Sequence, residues 1–119
     1  MARISIKRGD SLDYDTQIIR NGAAEDLAGA TVWFTAKSDL RAEDADAEIQ
    51  TSNVAGGVVF LVPSEGKIRI TLEPEETYDL DAPIELHYDI QLLTAAGKLD
   101  TVEDGHLVIR PGATRTMTP

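Results

Sequence analysis

The feature of this sequence that most constrains its fold is a repeated alternation of apolar and polar residues over short segments. Segments 67–73 and 84–92 alternate over their whole lengths, with isoleucine, leucine or tyrosine at every second position. A period of two belongs to a strand that buries one face. We therefore predict two strands here, with Ile68, Ile70 and Leu72 of the first facing a core.

Similar segments recur along the chain, and turn residues separate them. The apolar run 58–62 suits a strand covered on both faces or one lying across the mouth of a core. Pro74, followed by acidic residues, predicts a single helical turn between two strands. Asn21-Gly22, 63–66, 95–98 and 103–105 have turn composition. The other predicted strands lie at 3–7, 13–18, 31–37, 48–51, 99–102 and 106–110.

Short strands, frequent turns and the lack of any long helical pattern predict an antiparallel sandwich or barrel. For 119 residues, an all-β, immunoglobulin-like antiparallel β-sandwich of about seven to eight strands, with at most short helical turns, fits best. We assign residues 1–110 to this single domain and 111–119 to a flexible C-terminal arm. The chain contains no cysteine, which excludes disulfides, thiol nucleophiles and Cys-ligated zinc.

The charge of the chain limits its partners. It has 21 acidic and 11 basic side chains and a formal net charge of −10. Such a field repels phosphate backbones and anionic lipid surfaces, so we expect neither nucleic acid nor membrane as a partner. Motifs of catalysis are missing as well, including the Gly-x-Ser-x-Gly elbow and a phosphate-binding glycine loop. We expect no enzyme and no cofactor.

Two histidines and an acidic segment are candidate metal sites. His87 and His106 lie on the outward phase of their strands with Asp89 and Asp104 nearby, so neighbouring strands would make a two-imidazole, two-carboxylate site. Solvated surface histidines are the favoured alternative, and no metal is expected.

The acidic segment 39–48 carries carboxylates at alternate positions, at Asp44, Asp46 and Glu48. Calcium sites use such spacing, but the turn glycine and distal glutamate of an EF-hand are missing. A solvated, self-repelling loop is favoured. Asp44 and Asp46 are therefore candidates for contact with a partner.

Trp33, the single tryptophan, lies in segment 31–37. If Val32 and Phe34 face the core, Trp33 and Thr35 lie on the outer face of the sheet, where an indole typically contacts protein or sugar. In the opposite register, Trp33 is the core residue of its strand. Three consecutive apolar residues leave both possibilities open.

The order of motifs resembles the small immunoglobulin-like domain of tailed-bacteriophage virion proteins, above all the N-terminal domain of upper baseplate proteins. The matching segments are Ile-x-Ile-Lys-Arg-Gly-Asp at 4–10, Leu-x-Gly-Ala-Thr-Val-Trp-Phe-Thr-x-Lys at 27–37, Gly-Lys-Ile-x-Ile-Thr-Leu-x-Pro-x-x-Thr at 66–77, Tyr-Asp-Ile-Gln at 88–91 and Glu-Asp-Gly-x-Leu-x-Ile-x-Pro at 103–111.

This resemblance implies a non-enzymatic virion protein, assembled in the host cytoplasm, which docks on other virion proteins as a homo-oligomer or in multiple symmetry-related copies. Because no further domain follows within the 119 residues, we expect an accessory subunit, either a tail or baseplate adaptor or a capsid decoration protein. Arg115 in the C-terminal arm is a candidate contact, since arms can order on assembly. A carbohydrate-binding module that uses the Trp33 face is the alternative.

Overall fold

A computed structural model describes residues 2–39, 41, 43, 47–78, 80 and 82–112. In the described part of the chain, two single turns of 3-10 helix, Pro63–Glu65 and Pro74–Glu76, connect strands. Among the described residues, no helix has the length and apolar character needed to cross a membrane. The strands are β1 (Ala2–Lys7), β2 (Leu12–Gln17), β3 (Ile19–Arg20), β4 (Ala23–Ala24), β5 (Thr31–Lys37), β6 (Ile49–Ser52), β7 (Val58–Val62), β8 (Lys67–Leu72), β9 (Ile84–Leu93) and β10 (Leu99–Arg110).

The strands form two facing sheets and a small hairpin. The larger sheet has five strands in the order β1-β10-β9-β5-β6, the smaller has three in the order β2-β8-β7, and β3 pairs with β4. All pairings are antiparallel except that of β1 with β10. This order is that of an immunoglobulin-like sandwich whose first strand has joined the sheet of the last. The predicted fold class is confirmed.

The core lies between the sheets and consists of the inward residues of the alternating segments. Ile68, Ile70 and Leu72 of β8 are fully buried, as the pattern predicted. Phe34 stacks on Tyr88 of the neighbouring strand, with ring centroids 5.3 Å apart. The alternation in β8 and β9 therefore identifies their buried faces correctly.

The predicted turn at 103–105 is wrong, because β10 continues through these residues and is the longest strand. Thr101 pairs with Gln91 but Glu103 pairs with Ile90, which leaves Val102 as an extra residue in a β-bulge. A bulge shifts the alternation of faces by one residue. Glu103 consequently lies on the inner face of the sheet. Before the bulge, the odd-numbered residues Leu99 and Thr101 lie on the outer face.

Glu103 is bound by hydroxyl groups from both sheets. The Tyr14 hydroxyl donates to its Oε2 at 2.9 Å, the Tyr88 hydroxyl donates to the same oxygen at 2.7 Å, and the Thr16 hydroxyl donates to Oε1 at 2.8 Å. Since β2 belongs to the smaller sheet, these bonds join the two layers. Burial and the neighbouring Glu103 carboxylate raise the pKa of both tyrosines.

Strand β7 is covered on one face only, so the first of the two alternatives for this segment, a strand buried on both faces, is wrong. It lies at the edge of the smaller sheet. Val59 is 45% exposed and Leu61 is 40% exposed, whereas Val58 is buried. No layer of described residues covers the outer face of the smaller sheet, so the outward residues of β7 face solvent.

The predicted connections at Asn21-Gly22 and Pro74 are confirmed. Asn21 and Gly22 have φ values of 54° and 78°, as the central residues of a type I′ hairpin turn require. The 3-10 turn at Pro74 begins with a capping box in which Glu73 and Glu76 each accept a hydrogen bond from the other's backbone N–H.

Candidate functional site

A concavity of about 490 Å³ lies on the outer face of the five-stranded sheet. Its floor is formed by the outward side chains of β5 and β9, which take alternate positions along each strand. Because adjacent strands run side by side, these residues form two parallel rows. The rows are Trp33, Thr35 and Lys37 on β5 and His87, Asp89 and Gln91 on β9.

The strand register sets which side chains of the two rows lie opposite each other. Trp33 pairs with Gln91, and Thr35 pairs with Asp89. Directly opposed residues are the closest side-chain neighbours across a sheet. The indole is therefore flanked by an amide, while the middle of the concavity is polar.

Trp33 lies on the outer face and is half-buried, because its neighbours Val32 and Phe34 are fully buried on the inner face. The opposite register, with Trp33 in the core, is wrong. Thr35 shares the outer face, where its hydroxyl accepts a hydrogen bond of 3.2 Å from the Gln50 amide on β6. The structure thus brings the two predicted contact residues into one site.

Leu99 reaches the same concavity from β10. It precedes the bulge at Val102 and pairs with Leu93, so it lies on the outer face and is 55% exposed. Sequence reasoning missed Leu99 because the bulge decides its face. The row of outward residues on β9 was visible in the alternation, but their place beside Trp33 depends on strand order.

His87 and His106 are directly opposed on β9 and β10, which meets the condition set for a metal site. Their ring centroids are 5.0 Å apart in an edge-to-face arrangement. The His106 Nδ1 lies 3.4 Å from the Glu85 carboxylate. Among the described residues there is no group of three or more metal-ligating side chains, so the described geometry does not support the proposed two-histidine, two-carboxylate site.

The predicted contacts Asp44, Asp46 and Arg115 lie outside the described residues. Nearby, Glu48 accepts hydrogen bonds of 2.8 Å from both the backbone N–H and the hydroxyl of Ser38. Partial burial opposes ionisation of Glu48, but the Ser38 bonds outweigh it and lower its pKa. This carboxylate therefore ionises more readily than a free one, and its hydrogen bonds join the last residue of the acidic segment to Ser38, the residue that precedes the segment.

The arrangement is suited to binding by contact. The indole offers a flat apolar surface, and amide, hydroxyl, imidazole and carboxylate groups around it can donate or accept hydrogen bonds. Such a surface can bind a side chain of another protein or the face of a sugar ring.

Fold and site together define an immunoglobulin-like β-sandwich with a polar concave face on its larger sheet. Neither the models of protein families nor the curated protein sequences contain a match to the chain. Among solved structures, it is similar to the N-terminal domain of ORF48 of phage TP901-1, with a TM-score of 0.58 and 13% identity over 92% of this chain and 85% of that one.

A second solved structure is AggA, the major subunit of aggregative adherence fimbriae type I of Escherichia coli. It shares 11% identity over 94% of this chain and 91% of that one, and its TM-score of 0.29 is too low to support an argument. The likeness to the phage domain, at 13% identity, shows a shared fold. The resemblance seen in the sequence is therefore confirmed for the fold only: the chain has the same fold as this phage protein domain.

Proposed function

We propose that the chain is a non-enzymatic structural protein of a tailed-bacteriophage virion, which assembles in the host cytoplasm and docks on other virion subunits. Its role would be that of an accessory protein, either a tail or baseplate adaptor or a capsid decoration protein. The observation that carries the proposal is the fold shared with a phage protein domain over 92% of the chain.

The concave face is the proposed docking surface. Tryptophan is enriched among the residues that carry most of the binding energy at protein interfaces. Here Trp33 lies in a preformed depression whose backbone is held by strand pairing on both sides of β5. A rigid surface of this kind loses little conformational entropy when a partner binds.

Electrostatics favours a basic partner. The net charge of −10 attracts a positively charged surface and opposes an acidic one. We therefore expect binding to a virion subunit to weaken as ionic strength rises, because salt screens these interactions.

The decisive experiment compares virions assembled with wild-type chain, with Trp33→Ala and with Tyr78→Ala, using mass spectrometry of purified particles. Tyr78 is a matched control, since it is an aromatic residue with 41% exposure that does not line the concavity. We expect Trp33→Ala to be depleted from particles and Tyr78→Ala to be incorporated normally. Absence of the wild-type chain from virions would overturn the virion role, and normal incorporation of Trp33→Ala would overturn this docking face.

The polar lining of the concavity favours saccharide binding as a second candidate function. The centres of protein interfaces are depleted of charged residues, whereas Lys37 and Asp89 line this depression. Trp33 is the only tryptophan, so its fluorescence reports on the site alone. Saturable changes on titration with maltohexaose, cellohexaose or chitohexaose would support this candidate, and unchanged emission with all three would exclude these sugar classes.

A further inference from the structure

The two histidines of the chain lie side by side on the outer face of the larger sheet. His87 and His106 are the only histidines among the 119 residues, and the register of β9 and β10 places them directly opposite each other. Both are half-buried. Imidazole is the commonest metal ligand among side chains, so every group of this kind in the chain is concentrated at one point.

The separation of the two rings suits a shared ion. Their centroids are 5.0 Å apart. A Zn–N bond is about 2.0–2.1 Å long, which places a bound zinc ion about 3.2 Å from the centre of each ring. Ring centres 5.0 Å apart then subtend an angle of about 100° at the ion, close to the tetrahedral value of about 109°.

Glu85 gives His106 the orientation of a metal ligand. The His106 Nδ1 lies 3.4 Å from the Glu85 carboxylate. A neutral imidazole beside a carboxylate carries its proton on the nitrogen that faces the carboxylate, which leaves the lone pair on Nε2. Metal-ligating histidines are usually held in this way by a carboxylate behind the ring.

The charges around the pair favour a cation. In the strand register, the nearest charged side chains are two bases and three acids. These are Arg3 and Lys37, opposite the histidines on β1 and β5, and Glu85, Asp89 and Asp104, at the next outward positions of β9 and β10. The acids outnumber the bases locally, and the net charge of −10 attracts a divalent ion at longer range.

We propose that His87 and His106 bind one divalent transition-metal ion of the imidazole-preferring class, of which Zn²⁺ is the representative. His106 binds through Nε2, and Glu85 positions its ring without contacting the metal. In the described part of the chain no third side chain completes the site, so water occupies the other coordination positions. His87 lines the concavity beside Trp33, which gives the ion a path from solvent. This inference does not depend on the virion role.

Isothermal titration of the full chain with zinc chloride tests the proposal. We expect one Zn²⁺ per chain. His87→Gln and His106→Gln should each raise the dissociation constant by about tenfold or more, because a single imidazole then remains. Urea denaturation of both variants without metal checks that they are folded. Calcium chloride, titrated in parallel, should show no such dependence on the histidines, since Ca²⁺ prefers oxygen ligands.

A pair of charge-matched variants tests the role of Glu85. Glu85→Gln should weaken Zn²⁺ binding by about tenfold, because the carboxylate behind His106 is lost. Glu75→Gln removes the same charge from an exposed carboxylate in the 3-10 turn Pro74–Glu76, and it should bind Zn²⁺ as wild type does. Equal binding by the two variants would overturn the positioning role of Glu85.

Nuclear magnetic resonance of the imidazole protons identifies the ligands directly. With two histidines in the sequence, we expect the ring signals of both to shift together and to saturate at one equivalent of Zn²⁺. The site is overturned by a wild-type chain that binds no Zn²⁺, by a shift confined to one histidine, or by one ion per two chains. Binding that is unchanged in both histidine variants would also overturn it, because carboxylates of the acidic surface would then be the ligands.

Discussion

The hydroxyl of Tyr88 donates a 2.7 Å hydrogen bond to the carboxylate of Glu103, and the hydroxyl of Tyr14 reaches the same oxygen at 2.9 Å. Tyr88 and Glu103 belong to the larger sheet, whereas Tyr14 belongs to the smaller one. A charged group held between the layers has satisfied hydrogen bonds on both oxygens, as burial of a carboxylate requires. The hydrogen bonds of Tyr14 and Tyr88 to Glu103 therefore connect the two sheets in addition to the apolar contacts of the core.

Replacing Tyr88 by Phe should lower the free energy of unfolding by about 1.5–3 kcal/mol, because a hydrogen bond to a charged group is lost inside the protein. Tyr78→Phe is the matched control, since Tyr78 is exposed, and it should change stability little. Urea denaturation of both variants measures the difference. Equal effects of the two substitutions would show that the bond to Glu103 contributes nothing.

Stability should fall at alkaline pH. Burial and the Glu103 carboxylate raise the pKa of Tyr14 and Tyr88 in the folded protein, so the unfolded chain loses these protons at lower pH than the folded one. The contribution is complete below the ordinary tyrosine pKa of about 10 and decreases as pH rises above it.

Denaturation midpoints at several alkaline pH values, with tyrosinate absorbance on the same samples, measure this dependence. Tyr88→Phe should show a shallower decline, because one of the two shifted groups is gone. A wild-type stability that stays constant through the ionisation of the unfolded tyrosines would contradict the prediction.

Trp33 and Phe34 are adjacent but should differ strongly in their effect on stability. Phe34→Ala removes a fully buried ring that stacks on Tyr88 and should cost about 3–5 kcal/mol. Trp33→Ala removes a half-buried outer ring and should cost about 1 kcal/mol. Chemical denaturation of the two variants makes the comparison, and a larger loss for Trp33→Ala would contradict the assigned faces of β5.

Gly66 should tolerate substitution far less than Gly97. Both have positive φ values, but a Cβ at Gly66 would lie 2.6 Å from the Ile18 carbonyl oxygen and 2.9 Å from that of Glu25, whereas Gly97 has open space. Gly97→Ala should cost about 1 kcal/mol from backbone conformation alone, and Gly66→Ala about 2–4 kcal/mol because backbone must also shift. Thermal or urea unfolding of the two variants tests this prediction. Similar losses of stability in both would show that the backbone around Gly66 can move aside at little cost.

Much of the fold could be predicted because strand alternation is local. The inward faces of β8 and β9 follow directly from their residue patterns, and the Asn21-Gly22 turn follows from the positive φ that these two residues tolerate. The turn predicted at 103–105 failed, because acidic residues and glycine have turn composition. Pairing with β9 along β10 overrides that local preference.

For the candidate site, the outward phase of Trp33 was one of two possibilities that three consecutive apolar residues could not separate. Packing in the folded protein decides between the two registers, because Val32, Phe34 and Ala36 are fully buried and therefore occupy the inner face of β5. Leu99 could not be assigned, since its face depends on the bulge at Val102. His87 and Gln91 became part of the site only because β9 lies beside β5.

The sequence by itself determined that this protein is an all-β sandwich and which side of most strands is apolar, because hydrophobic alternation and turn chemistry act between near neighbours in the chain. Only the tertiary structure decided which strands lie at an edge, where a bulge reverses the alternation, and which outward residues share the concavity around Trp33. Those properties arise from pairing between strands far apart in sequence, and no short segment contains the information that selects its neighbour.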